Sequence, residues 1–263
     1  MSELTLSPLG KEATYVSRYA PELLFSIARK NNRDFFGVDV WRAFEVSWLE
    51  PKGKPVVAVA EFIFPSLSAN IIESKSLKLY LNSFNGTCFD SLEMVSSTLV
   101  QDLSKAAGGE VQVNLQILSD MQQAKIDIPE GVCLDNLEVS CSVYQPDASL
   151  LSVGRPLVEE KLYSHLLKSN CPVTGQPDWA TVEIVYQGQQ IQHESLLQYI
   201  VSYRNHNEFH EQCVERMFMD ILNRCKPQRL MICARYTRRG GLDINPFRST
   251  HPVNFQAKRL FRQ

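Results

Sequence analysis

No Cys-x-x-Cys pair occurs in this chain of 263 residues, and its seven cysteines are an odd number. Both facts speak against a zinc ribbon or a disulfide framework, and the usage suits a reducing compartment. Nowhere does the sequence run through the roughly 18 apolar residues of a membrane span, and Met1–Leu6 lacks a basic start followed by an apolar stretch. A cytoplasmic protein is expected. No charge sign dominates either: 27 Lys and Arg against 29 Asp and Glu leave a net charge of −2, which gives no global attraction to nucleic acid or an anionic membrane. A glycine-rich dinucleotide fingerprint is also missing. What is present is a 44% hydrophobic composition, enough for one large or two small cores.

The strongest organisational signal is an internal repeat. A shift of 119 lays 76–84 on 195–203, matching Ser76 with Ser195, Leu77 with Leu196, Tyr80 with Tyr199 and Ser83 with Ser202. Upstream the shift becomes 122, placing Pro55 on Pro177 and 59–64 on 181–186. A loop between strand and helix would absorb the change of offset. Downstream, Val111, Val113 and Leu115 fall opposite Leu230, Ile232 and Ala234, alternating in both copies.

Each copy reads as two strands, two helices and further strand. In the first, 38–49 and 56–64 alternate around Pro-Lys-Gly-Lys-Pro, a hairpin with turn chemistry at its tip. Residues 74–84 and 90–106 have helical spacing (Leu92, Val95, Leu99, Leu103) closed by Gly108-Gly109, and strands are expected at 110–118 and 134–144. The second copy is expected to form strands at 161–171, 179–187 and 229–238 with helices at 194–204 and 207–224. The fold class is α+β. Residues 1–35 form an N-terminal extension, 36–145 the first module, 146–160 a connector and 161–263 the second module.

The copies differ where chemistry would sit. In Ser-Asn-Cys-Pro-Val-Thr-Gly-Gln-Pro-Asp-Trp (169–179) the thiol of Cys171 and the carboxylate of Asp178 flank a turn-rich loop, a nucleophile and a proton partner suited to addition on an unsaturated carbon. The first copy has Leu49 and Val56 at those places. Conversely Glu73-Ser74-Lys75-Ser76 opens the first copy's helix, and Gln192-His193-Glu194-Ser195 has no Lys there. Either the two copies contribute different residues to one composite site, or they have simply drifted apart.

Four separated segments, 72–84, 169–179, 204–216 and 234–246, together resemble the NADPH-dependent 7-cyano-7-deazaguanine reductases, the nitrile reductases of queuosine biosynthesis, in their long form with two tandem tunnelling-fold modules. The likeness covers nearly everything from residue 38 onward. It implies that Cys171 attacks the nitrile carbon to give a covalent thioimide and that Asp178 supplies the proton to nitrogen. Two NADPH would complete a four-electron reduction with no metal. By the same resemblance His210 orients substrate or shuttles a proton. Glu211 reads the guanine-like edge, and Ile72, Glu73 and Ser74 line the substrate side. Ser74, Lys75, Arg239 and Gly240 contact the cofactor. A homodimer is expected, with 7-cyano-7-deazaguanine as partner and neither nucleic acid nor membrane.

Two rivals come from the residues themselves. His206, His210 and Cys213 stand at i, i+4, i+7, so one helical face completed by Cys171 would make a zinc site of the cyclohydrolase kind. Alternatively Arg235, Arg238 and Arg239 with Tyr236 as a stacking platform would bind a purine or RNA without catalysis.

Overall fold

A computed structural model describes residues 15–29, 34–120, 125–256 and 258–263. The chain forms two compact units. The first takes the described residues of Met1–Arg33, Asp39–Lys125 and Arg238–Asp243, the second those of Asp34–Val38, Ile126–Thr237 and Ile244–Gln263.

In the first unit a short strand β1 (Ser26–Ala28) pairs antiparallel with β4 (Asn70–Ile72). The long strands β2 (Phe36–Leu49) and β3 (Pro55–Pro65) are joined by a turn in which Gly53 takes φ +82° and donates to the Glu50 carbonyl at 2.7 Å. β3 pairs on its other side with β5 (Gln112–Ile117), from Ala58 opposite Ile117 to Ile63 opposite Gln112. Helix α1 (Ser74–Asn82) starts where both Glu73 carboxylate oxygens accept backbone N–H groups, from Lys75 at 2.8 Å and Ser76 at 2.9 Å. Helix α2 (Leu92–Ala107) is capped by the Ser91 hydroxyl and ends at Gly108 in the left-handed region. Its buried stripe is Val95, Leu99, Leu103 and Ala107, the spacing of one helical face.

The second unit repeats that order. Strands β7 (Val153–Asn170) and β8 (Pro177–Ile191) form an antiparallel hairpin, followed by helices α3 (His193–Ser202) and α4 (His210–Cys225), then β9 (Arg229–Tyr236) and β10 (Leu242–Ser249). β9 lies between β8 and β10, and β6 (Val132–Cys133) adds a short parallel edge to β7. One face of this sheet and both helices share a core built from Leu162, Val182, Ile184, Tyr199, Met217, Phe218 and Ile232 among others.

The repeat extends to details. Gly175, at φ +68°, occupies in the second hairpin the place Gly53 has in the first, 122 residues earlier. The hydroxyl of Tyr80 donates to Asp102 and that of Tyr199 to Asp220, each at 2.7 Å, so both helix pairs carry the same buried pin. Ser83 and Ser202 each return a hydroxyl to the carbonyl three residues back at 2.6 Å. From α2 to α4 the offset becomes 118, which puts Asp102 on Asp220 and Gly108 on Lys226, both of the latter left-handed C-caps.

Three expectations need correcting. Residues 134–144 are not a strand: Leu134, and then Leu137 and Val139 in alternation, pack singly onto the second core from an irregular segment. The connector is shorter than expected, since β7 already starts at Val153. Pro156 is accommodated at a register shift between Val153 and Leu157, where a missing N–H costs no ladder bond. Finally, α3 ends in a single 3-10 turn (Tyr203–Asn205) and α4 begins only at His210, so His206 lies on no helix. No helix among the described residues is long and apolar enough to cross a membrane.

Candidate active site

The β7–β8 hairpin turn is closed twice over Cys171, whose N–H donates to the Gln176 carbonyl at 2.8 Å and whose carbonyl accepts from Gly175 at 3.0 Å. The backbone N–H of Thr174 meets the sulfur at 3.5 Å, and the thiol side chain is buried. Asn170, immediately before, is tied to the stretch that leads into α4: its N–H donates to the His206 carbonyl at 2.8 Å and its carbonyl accepts from Glu208 at 3.2 Å. The start of β8 and the start of α4 are thereby brought to the same place.

Asp178, second residue of β8, faces Ser169 across the ladder and is 3% exposed. Its Oδ2 lies 3.3 Å from Nε2 of His210, the first residue of α4. The His210 ring is stacked on Tyr236 with centroids 3.7 Å apart and planes at 10°, and its Nδ1 is buried with no hydrogen-bond partner. Imidazole orientation is thus fixed from one face and one edge, leaving Nδ1 as the atom still to be satisfied. Glu211, next along α4, is 2% exposed. Phe209 gives α4 no side-chain cap, so its first-turn N–H groups are not consumed by a capping side chain, and they favour negative charge at this end.

In the first unit Ile72 and Glu73 are buried, and Ser74 and Lys75 half-buried, at the junction of β4 and α1. Burial pushes the Glu73 carboxyl up, and the N–H groups of Lys75 and Ser76 oppose that shift. Arg239 and Gly240 belong to a tight turn in which Arg239 and Leu242 exchange both backbone bonds, at 2.9 and 3.1 Å, with Gly240 and Gly241 at φ +57° and +76°. Such a two-residue turn needs positive φ at both central positions, which explains the glycine pair. A Cβ on Gly240 would stand 3.2 Å from Lys78 Nζ, so the turn lies against α1.

The structure therefore brings together Asp178 and His210 beside the Cys171 turn, with Glu211 adjacent, and separately sets Gly240 beside Lys78 of α1, the helix that Ser74 and Lys75 open. It does not form the zinc face: His206 Nε2 turns to Glu208 at 2.9 Å while His210 turns to Asp178. Nor does it offer the stacking platform, because Tyr236 is 1% exposed under His210 and Arg235 is buried against Glu183. Sequence reading missed Thr174 and Lys78, and gave Tyr236 the role of a nucleobase platform where the structure stacks it on His210. Lys78 alone had a signal, one helical turn after Lys75.

The N-terminal domain of nitrile reductases, 7-cyano-7-deazaguanine reductase, matches residues 15–115, and the QueF-like protein family matches 177–254. A curated relative from Azoarcus sp. (strain BH72) is 57% identical over 93% of this chain and 90% of its own length. The chain belongs to the family of NADPH-dependent 7-cyano-7-deazaguanine reductases. Further members are 58% identical in Dechloromonas aromatica (strain RCB), over 93% of this chain and 90% of the relative, and 52% identical in Desulfotalea psychrophila (strain LSv54 / DSM 12343), over 97% of both. All three relatives carry the name NADPH-dependent 7-cyano-7-deazaguanine reductase, so the family resemblance in the sequence holds across both units.

Proposed function

We propose that this chain reduces the nitrile of 7-cyano-7-deazaguanine to an aminomethyl group, the step that serves queuosine formation, through a covalent adduct on Cys171. The observation that carries the mechanism is the juxtaposition at one hairpin mouth of a buried thiol with an Asp178–His210 pair 3.3 Å apart. Sulfur adds to the nitrile carbon, one carbon–nitrogen π bond opens, and the thiol proton reaches nitrogen by way of Asp178. His210 holds Asp178 in place through Nε2 and turns Nδ1 toward the substrate. The Glu211 carboxylate accepts from the ring N–H and exocyclic amine of the base, and Ile72, Glu73 and Ser74 of the first unit are substrate-side residues by the family resemblance. A buried carboxylate of this kind rejects bases that lack those donors.

NADPH, when bound, supplies hydride; after the first, the carbon–sulfur bond breaks and Cys171 regains its thiol, and two hydrides with two protons in all take the nitrile to the amine. The first unit fits that group through side chains: Ser74 and Lys75 at the head of α1, an exposed Arg239, and a glycine at 240 where a side chain would press on Lys78. Ammonium and guanidinium groups here offset phosphate charge. The repeated strand–strand–helix–helix–strand order supports two tandem tunnelling-fold modules, and we read the assembly as a homodimer. The test is loss of NADPH absorbance on adding 7-cyano-7-deazaguanine, with two NADPH consumed per nitrile. No substrate-dependent oxidation, or oxidation with no aminomethyl product, would overturn the assignment.

A further inference from the structure

A second group of reactive side chains in the second unit shares no residue with the one just described. Cys133 of β6 pairs with Tyr163 in the parallel β6–β7 ladder. His165 follows Tyr163 by two residues on β7, so both project from one face of the strand, and their rings meet edge-on at 5.4 Å. Asp135, two residues after Cys133, is fastened to β7: its carboxylate accepts from the His165 N–H at 3.1 and 3.2 Å and from the Ser164 hydroxyl at 2.6 Å. One donor atom each from Cys133, Asp135 and His165 lies within 4.8 Å of the other two, and all three residues are half-buried.

We propose that Cys133, Asp135 and His165 bind a zinc-type divalent cation, with water in the fourth position. Sulfur, carboxylate oxygen and imidazole nitrogen are the donor set of tetrahedral zinc. Binding moves the Cys133 proton to solvent, and thiolate plus carboxylate then balance the two positive charges, so the half-buried complex is neutral. The imidazole is oriented from behind by a 2.9 Å contact between its Nδ1 and the hydroxyl of Thr181, which is 2% exposed. Outer-sphere support of this sort is what metal-bound histidines carry.

A comparison inside the same unit shows why this trio and not another. His206, Glu208 and Cys213 are as close to one another. There, however, Arg216 already holds Glu208 with two bonds, at 3.0 and 2.9 Å, and burial pushes the Cys213 thiol up to about 12. A cation would have to expel a guanidinium and ionise a resistant thiol. Asp135 has no Lys or Arg partner among the described residues.

Cobalt(II) titration of the chelator-dialysed full chain, followed by displacement with zinc, tests the site. One equivalent should give visible d–d bands of a tetrahedral ion with a near-ultraviolet thiolate-to-cobalt charge-transfer band, both abolished by zinc. Cys133→Ser should remove the charge-transfer band, and Thr181→Val should weaken binding by about 10-fold. Cys171→Ala and Cys213→Ala should leave the spectrum intact. Substrate-dependent NADPH oxidation by metal-free Cys133→Ser serves as the check that this variant is folded. No charge-transfer band, or a band lost in Cys171→Ala or Cys213→Ala and kept in Cys133→Ser, would overturn the proposal.

Discussion

Replacing Asp178 by Asn separates proton transfer from shape. The side chain is 3% exposed, faces Ser169 across the ladder and has Oδ2 3.3 Å from His210 Nε2. An amide fills the same volume and can still meet the imidazole, but it cannot carry a proton from sulfur to the nitrile nitrogen. A positioned acid–base group typically contributes about 10²- to 10⁴-fold, or roughly 2.7–5.4 kcal/mol of barrier at 1.36 kcal/mol per decade. Substrate affinity should move by no more than about 1 kcal/mol, since the hydrogen-bonded outline is retained. The assay is a mass-spectrometric time course of the adduct on Cys171 without NADPH, followed by turnover with it. The variant should lag in adduct formation by at least about 100-fold. Adduct formation and turnover both within about threefold of wild type would refute the reasoning and leave Asp178 as a structural partner of His210.

Glu211→Gln should fail mainly in binding, with a loss of about 1–3 kcal/mol in calorimetry, because an amide donor then faces a donor on the base; retained affinity would relocate recognition. Lys75→Ala should raise the KM for NADPH while adduct formation on Cys171 keeps its rate, and a slowed adduct would show that the ammonium acts on the nitrile step. Lys226→Gly should raise unfolding free energy by about 0.5–1 kcal/mol in urea, since a lysine at φ +50° holds a conformation that glycine takes freely; equal or lower stability would mean the side chain is needed there. Burial pushes the Cys213 thiol up to about 12 and that of Cys225 up to about 11, against an ordinary value of 9.0. Unfolded thiols ionise first, so the two residues contribute stability that is present below about pH 9 and lost as pH rises through 11 to 12. At pH 8 iodoacetamide should accordingly spare Cys213 and Cys225 in the native chain, and their labelling at the rate of exposed Cys88 would contradict that burial.

Periodicity and turn chemistry made both hairpins, helices α1 to α4 and their order readable, because Leu, Val and Tyr at helical spacing have one way to bury a stripe. Residues 134–144 failed for the complementary reason: single apolar residues pinning an irregular segment alternate as a strand does. At the candidate site, Cys171 and Asp178 could be read from their spacing across a turn, whereas Gly240 came only with the family resemblance. The His206, His210 and Cys213 spacing misled because His206 only follows a 3-10 turn, and the non-helical residues 207–209 separate it from α4. Tyr236 under His210 and the Thr174 N–H at the sulfur carry no local signal, since one depends on a cross-strand neighbour and the other on backbone direction.

The tyrosine-to-aspartate pins, Tyr80 to Asp102 and Tyr199 to Asp220, have a consequence for how such a chain diverges after duplication. Each copy carries its own internal fastening between its two helices, made by residues that take no part in either hairpin turn. Inheritance can therefore rewrite the turn of one copy, a leucine at 49 where the other keeps a cysteine at 171, without unlocking the helices beneath it. The same independence makes the 50–54 turn a place to graft new loops, with the pin as the landmark that must be left alone.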